Sequence, residues 1–530
     1  MTPMAYDWIV VGSGFGGSVS ALRLAQKGYK VAVLECGRRY RDQDFARSTW
    51  NLRRFLWAPA LGLRGILRMS VFRDVFIASG AGVGGGSLVY ANTLYRAKPA
   101  FFTHRQWPGG RDWAAALAPH YDTAERMLGA TPVPHDSDGQ RLLREMADAM
   151  GVPQTFVRTS CAVYFGEPGV TVPDPFFGGE GPPRTGCERC GACMVGCRTG
   201  AKNTLVKNYL WFAEKLGVEI LADTEVTDIR PRGAGDGSGG YVVETSRPGA
   251  WLRPRRRALE AKGVVVAAGA LGTNRLLARC KLGGSLPALS DRLGHLVRTN
   301  SESLLAVTLP DDRLAPWKDV AISASIHPDP QTHIEFVTYG RRGDFMSTLT
   351  TLLVGEGTRL TRPLKLLGVA LLHPVRFLRT AWPFGWSRRS LIILVMQSLD
   401  NALRFRARKG WLGGVRLATE QDEGRPNPTY IEAGNRAALW LAKRTGGVAQ
   451  SMALEAVANI PSTAHILGGA AIGRDAGEGV VDRHSRVFGY CNLLVCDGST
   501  LPANPGVNPS LTIAAVAEHA MSHVPAKAAA

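Results

Sequence analysis

The sequence predicts an α/β protein of two domains, on three observations. A complete strand–helix–strand unit opens the chain, 530 residues allow two large domains, and small-residue turns follow apolar β-runs far downstream. Asp7 to Val11 is an apolar run suited to a buried parallel strand, and Gly12-Ser-Gly14-Phe15-Gly16-Gly17 follows at once. Ser18 to Lys27 carries Val19, Leu22 and Leu24 at helical spacing and stops at Gly28; Tyr29 to Leu34 then reads as a second strand ending in Glu35. G-x-G-x-x-G between strand and helix, with an acid eighteen residues after Gly17, is the dinucleotide-binding pattern of a Rossmann-like domain. Gly12 permits the tight turn, Gly14 lets a diphosphate approach backbone N–H groups, and Gly17 lets helix pack on strand. The helix N-terminus faces the phosphate charge, and Glu35 accepts from ribose hydroxyls.

Composition bounds the rest. Hydrophobic residues are 45% and charged residues 20%, which excludes a disordered chain. The net charge of +19 favours polyanions, but no zinc-finger spacing, recognition helix or aromatic RNA-binding strand accompanies it, so no nucleic acid is expected. No run of about 18 apolar residues exists to span a bilayer, and MTPMAYDWIV has no basic segment or cleavage site of a secretory signal. The expectation is a soluble, cytoplasmic protein.

A second glycine-rich run, Gly80-Ala-Gly82-Val-Gly84-Gly85-Gly86-Ser87, precedes Leu-Val-Tyr-Ala-Asn92. Residues this small bury almost nothing as core strand; they suit a loop lying against a flat ligand. A later strand, Gly263 to Ala268, runs into Gly269-Ala-Leu-Gly-Thr273. Near the C-terminus stand Ser462-Thr-Ala-His465-Ile-Leu-Gly-Gly469, Leu493-Leu-Val-Cys-Asp497-Gly498-Ser499 and Gly506-Val-Asn508-Pro509-Ser-Leu-Thr-Ile513.

In order and spacing these features resemble the glucose–methanol–choline (GMC) flavin oxidoreductases, and within them are most similar to the bacterial cholesterol oxidases. The resemblance implies FAD, held by Gly12, Gly14, Phe15, Gly17, Glu35, Gly84, Gly85, Gly86, Ser87, Asn92, Val226, Ala268, Gly269, Asp497, Gly498, Asn508 and Pro509. It implies that His465 and Asn508 stand beside the reactive flavin edge, binding the substrate hydroxyl and assisting proton removal. The physics agrees: hydride leaves a C–OH carbon more easily as the O–H proton departs, and an imidazole of pKa near 6.5 serves at neutral pH. The family's glutamate for double-bond isomerisation finds its counterpart in Glu335 of His333-Ile-Glu335-Phe, with a surface strand glutamate as the alternative; Asn300 is a weaker candidate.

Cys187, Cys190, Cys193 and Cys197 have C-x2-C-x2-C-x3-C spacing, the ferredoxin-type iron–sulfur run except that Arg198 stands where proline is usual. Four-thiolate zinc and free thiols are the competing readings, and all three stay open. A cluster would give the flavin an electron exit and favour a dehydrogenase over an oxidase.

Between Arg359 and Arg389 seven basic residues and no acid are interleaved with leucines, Phe377, Trp382, Phe384 and Trp386. Arg47 to Arg73 repeats the style with six arginines among Trp50, Phe55, Trp57, Leu61, Leu63 and Ile66. Basic residues beside Trp and Leu suit a peripheral membrane surface. The flavin domain is expected at 1–98, 198–300 and 455–530, and a sheet-and-helix substrate domain at 99–197 and 301–454. Gly233 to Gly240 reads as a hairpin turn, Gly200 to Leu216 as a helix, and the last five residues as frayed. The function expected is FAD-dependent oxidation of a 3β-hydroxysteroid, with O2 or another electron acceptor. The alternative is a dehydrogenase of long-chain or other bulky alcohols that passes electrons through the iron–sulfur cluster.

Overall fold

Two seven-stranded sheets wall a common cavity in the computed structural model, which describes residues 5–250, 256–410 and 414–528. The first sheet runs in the order Glu219–Leu221, Val31–Leu34, Tyr6–Val11, Arg257–Val266, Tyr241–Ser246, Glu225–Pro231. Its centre is parallel because Ile9, Val10, Val33, Val264, Val265 and Val266 are buried on both faces, which only a sheet covered on both sides tolerates. The long strand Arg257–Val266 changes partners midway. Its first half pairs antiparallel with Tyr241–Ser246, and Val264 to Val266 pair parallel with Leu493–Val495. Residues more than 200 apart thereby meet at one sheet end. Gly233 to Gly240 does connect two antiparallel strands, Glu225–Pro231 and Tyr241–Ser246.

Helix Phe15–Gln26 packs against the C-terminal helix Ser510–Ser522, which in turn packs on Trp113–Leu128. Arg23 reaches Glu518 through two bonds of 2.7 Å, and Tyr209 Oη donates to the same carboxylate. The fraying expected at the C-terminus does not reach Lys527, whose Nζ stands 2.6 Å from Asp7 Oδ2; Ala529 and Ala530 lie outside the described residues. The helix expected over Gly200 to Leu216 is confined to Tyr209–Lys215. Upstream, Lys202 is drawn inward, donating to the carbonyls of Leu88, Tyr90 and Cys193, contacts that a continuous helix could not make.

The second sheet is antiparallel throughout: Thr350–Leu352, Val448–Met452, Ser303–Thr308, Ser390–Gln397, Thr332–Val337, Ala324–Ile326, Val157–Arg158. Alternation along Thr332–Val337 sends Ile334 and Phe336 into a core under helices Asp138–Ala149 and Glu432–Thr445. His333, Glu335 and Val337 take the opposite face, toward the cavity.

A pair of short helices, Thr361–Leu372 and Pro374–Ala381, follows the strand Thr350–Leu352. Their apolar side chains stay outside: Leu364, Leu371, Leu372, Leu378, Trp382 and Phe384 are all exposed. The other basic, apolar stretch behaves differently, burying part of its apolar side chains. Phe55, Trp57 and Ile66 are buried, and Trp50, Leu61 and Val71 are its exposed large apolar residues. Its arginines decorate a folded corner whose apolar side faces the core.

Arg362 is what anchors the exposed helices. Fully buried, it donates to Glu455 Oε1 at 3.0 Å, to Asn459 Oδ1 and to the carbonyls of Thr429 and Val354. Burial pushes the Glu455 carboxyl up to about 7 although Arg362 pulls it down. Truncating one partner of such a pair strands the other charge. Arg362→Ala is expected to cost about 3–5 kcal/mol in chemical unfolding, and adding Glu455→Leu should restore part of that loss.

Candidate functional site

The cavity, about 640 Å³, begins at the strand-to-helix turn of the N-terminal unit. Gly12 takes φ +97, and a Cβ on Gly17 would fall 2.0 Å from Gly12 O, so helix and turn touch backbone to backbone. No side chain caps helix Phe15–Gln26, leaving its first N–H groups free to meet an anion. A Cβ on Gly14 would meet nothing within 4 Å, because Gly14 borders the open space.

Glu35 ties the two glycine-rich segments together. Its Oε2 accepts from Ser13 N at 3.1 Å and Ser13 Oγ at 2.7 Å; its Oε1 accepts from Gly37 N at 2.8 Å and Gly82 N at 3.4 Å. Gly84 N donates to Ser13 Oγ, and Gly85 comes so close to Gly14 that a Cβ there would stand 2.6 Å from Gly14 Cα. Phe15, Gly85, Gly86, Val226, Ala268, Gly269, Asp497, Gly498, Asn508 and Pro509 line the same cavity as Gly12, Gly14 and Glu35. Gly17, Gly84, Ser87 and Asn92 stand behind its wall. Ser87 Oγ donates to Gly84 O and accepts from Leu205 N, and Asn92 holds a left-handed φ of 71.

Asp497 joins the later turn. Its carboxylate accepts from Gly269 N, Thr273 Oγ1, Ser499 N and Ser499 Oγ, and burial still holds its pKa above the usual value. Helices Gly269–Gly283 and Ser510–Ser522 also begin uncapped at this cavity. Three helix N-termini therefore converge on it, and Asp497 takes the first N–H of helix Gly269–Gly283.

His465 enters from the loop after the short strand Ser462–Thr463, which pairs with Phe76–Gly80. Thr463 Oγ1 bonds Thr299 O and accepts from His465 N, while Leu467 pairs with Arg298. Gly468 follows because a Cβ there would lie 1.9 Å from Leu296 O. His465 Nε2 faces Asn508 Nδ2 at 3.5 Å, and Asn508 Oδ1 is buried without a partner. Nδ1 is held by the buried carboxylate of Glu302. Burial opposes the imidazolium, but the charge and hydrogen bond of Glu302 and the charge of Glu335 outweigh it, so the His465 pKa is raised.

Glu302 was passed over in the sequence because its contact spans 163 residues and no motif marks it. Asn300 is spent on structure: its Nδ2 donates to Val507 O and its Oδ1 accepts from Gly506 N, pinning the loop that carries Asn508. Glu335 is fully buried, not a surface strand residue. His333 Nε2 stands 3.0 Å from its Oε1 without hydrogen-bond alignment, and both carboxylate oxygens lack a partner. It lies outside the lining of the cavity, two residues from Val337, which is part of that lining.

The chain matches two family descriptions, "FAD dependent oxidoreductase" over residues 7–338 and "GMC oxidoreductase" over residues 412–517. It is 49% identical to a cholesterol oxidase of Mycobacterium tuberculosis over 98% of this chain and 91% of that one. Identity to a cholesterol oxidase of Acinetobacter baumannii is 44%, over 98% and 95%. The chain belongs to the FAD-dependent GMC oxidoreductases. The crystal structure of pyridoxine 4-oxidase from Mesorbium loti shares the fold, with a TM-score of 0.61 at 16% identity, covering 98% of this chain and 99% of that one.

The residues of this GMC oxidoreductase fit FAD. An open cradle at Gly14, uncapped helix ends for the diphosphate, and the Glu35 carboxylate at the wall are what a dinucleotide needs. In the cysteine run expected to hold iron–sulfur or zinc, Cys193 is buried, Cys187 and Cys197 are half-buried and Cys190 is exposed. Among the described residues no three His, Cys, Asp or Glu side chains converge as a metal site. Gly191 and Gly196 turn the backbone through left-handed conformations, so Cys193 points into the core and Cys190 to the surface. Burial pushes the Cys193 thiol up to about 12 and raises Cys187 and Cys190 as well.

Replacing Gly85 with valine forces a β-branched residue to φ +52 and 2.6 Å from Gly14 Cα. The variant should purify without yellow flavin absorbance, measured against unchanged far-UV circular dichroism.

Proposed function

We propose that the chain oxidises the 3β-hydroxyl of a cholesterol-like steroid to the ketone and passes the electrons to O2. The observation that carries this reading is the contrast within the cavity. Its polar end is His465 with Asn508, while the wall beyond is apolar: Leu304, Ala306, Val337, Ile392 and Leu394 from the second sheet, with Met346, Leu349 and Trp386. A single hydroxyl on a large rigid hydrocarbon is the substrate such a wall selects. Near-full-length identity to two cholesterol oxidases supports the same class.

FAD supplies the two-electron acceptor for the hydride of the carbinol carbon. His465, with Nδ1 engaged by Glu302, presents Nε2 to the hydroxyl and takes its proton. Asn508 orients both the imidazole and the substrate oxygen through its amide. Glu335 is the proton carrier for double-bond isomerisation: a buried carboxylate without partners, on the cavity-facing side of its strand, is a poor structural element and a serviceable proton shuttle.

The exposed helices 361–381 supply the route to substrate. Their leucines, with Trp382 and Phe384, form an apolar face amid basic residues, as a helix lying on an anionic bilayer requires. Phe384 stacks on Trp50, Trp50 meets Phe345, and the next residue, Met346, lines the cavity. Among the described residues no helix is long and apolar enough to cross a membrane, so contact would be peripheral.

Cholesterol in detergent, added without air to the yellow protein, should bleach the flavin, and admitting air should restore it. Bleaching only by long-chain alcohols would overturn the steroid assignment. His465→Ala is expected to slow bleaching by about 10²–10⁴-fold. Glu335→Gln should leave bleaching intact while the product stays unconjugated, read by ultraviolet absorbance.

Membrane docking is tested separately by cosedimentation with vesicles containing anionic phospholipid. Binding should weaken in the double variant Trp382→Ser, Phe384→Ser and in high salt, with activity on detergent-dissolved cholesterol retained.

A further inference from the structure

We propose that Glu302 is the positioning residue for His465, fixing the ring with Nδ1–H toward the carboxylate and Nε2 toward the substrate, and stabilising the imidazolium formed when the hydroxyl proton arrives. This rests on the reading of His465 as proton acceptor given above.

The geometry is specific. Glu302 is buried, whereas His465 lines the cavity. One carboxylate oxygen holds Nδ1 and the other accepts from Ala464 N at 2.7 Å, so the same group clamps the ring and the loop beneath it. The backbone that aims it is itself over-determined. Asn300 and Ser301 take left-handed φ values of 58 and 45, a conformation costly for non-glycine residues. Asn504 Oδ1 accepts from Asn300 N, and Ser301 Oγ donates to Asn401 Oδ1, which keeps that turn in place.

The chemistry follows from charge. With a neutral ring, Glu302 is an anion in a buried site, its charge offset only by hydrogen bonds. Transfer of the hydroxyl proton to Nε2 turns the pair into carboxylate and imidazolium, a neutral ion pair, just as the substrate oxygen loses its proton. The O–H bond breaks, the Nε2–H bond forms, and the hydride leaves separately to the flavin. A carboxylate placed against Nδ1 lowers the free energy of that product state and fixes the reactive tautomer. The charged groups acting on the ring are Glu302, from the turn before Ser303–Thr308, and Glu335, from Thr332–Val337; both favour the cation, and Asn508 is neutral.

The test is anaerobic flavin reduction by cholesterol in detergent, followed against pH. A base with a raised pKa is protonated, and inactive, to a higher pH, so the wild-type rate should climb through a midpoint above the ordinary imidazole value of about 6.5. In Glu302→Gln the midpoint should fall by roughly one pH unit or more, because the anion is gone. The plateau rate should fall by about 10²-fold. Glu302→Asp keeps the charge and should keep the raised midpoint while the rate drops. It also decides the matter should the glutamine variant fail to fold, since a midpoint at 6.5 would overturn the proposal. So would a Glu302→Gln enzyme with wild-type midpoint and rate. His465→Ala separates the two claims: if it reduces flavin at the wild-type rate, the reading of His465 fails, whereas a dead His465→Ala beside a silent Glu302→Gln removes only the role of Glu302.

Discussion

The site depends on one buried guanidinium. Arg298 has no exposed side-chain surface, and it donates to Pro502 O, to Asp400 Oδ1, to Asn401 O and to Gln106 Oε1. Burial lowers its pKa, and the partners are what keep a cation acceptable there. Those partners come from three distant parts of the chain, and they converge on the residue that opens the segment 298–302. That segment then does everything else nearby. Thr299 O anchors Thr463, Asn300 pins the loop leading to Asn508, and Glu302 holds His465. A side chain outside the cavity lining thus sets the distance between two polar residues that belong to it.

Backbone constraints made the cofactor cradle legible. At the opening fingerprint, Gly85 and Gly468 another backbone approaches, and at Gly269 φ is +74; only glycine allows either, so the requirement is written in residue type at fixed spacing. His465 and Asn508 could be read because each sits in such a turn. Glu302 could not, because a carboxylate in a turn is ordinary until the partner strand brings an imidazole to it. Asn300 shows the opposite failure: a polar residue near the site whose side chain is consumed by a loop.

The cysteine run and the basic segments could not be placed from the sequence, for a shared reason. Spacing in sequence fixes side-chain direction only when the backbone conformation is known. Left-handed turns at Gly191 and Gly196 bury Cys193 and leave Cys190 exposed, which the spacing alone does not give. Likewise, two stretches alike in composition part company in three dimensions. Phe55 and Trp57 find a core beside Phe345 and the cavity wall, whereas the leucines of Thr361–Leu372 find none among the described residues and remain at the surface, held by Arg362 alone on its buried side. Hydrophobic pattern announces a need for burial; only tertiary packing shows which segment has met it.

Two carboxylate–imidazole pairs lie near this cavity, and their difference is informative. Glu302 and His465 are aligned and hydrogen-bonded, and the histidine opens to the cavity. Glu335 and His333 stand 3.0 Å apart, fully buried, with no hydrogen bond to satisfy either. A protein gains nothing in stability from the second arrangement, since an unsatisfied buried carboxylate or imidazole costs about 1–3 kcal/mol or more. Apolar residues would pack the same strand better, as Ile334 and Phe336 do on its other face. A buried polar pair without hydrogen bonds beside a cavity is left able to bond a group that enters it. The aligned pair is closed on itself, whereas the misaligned pair keeps its hydrogen-bonding atoms unspent.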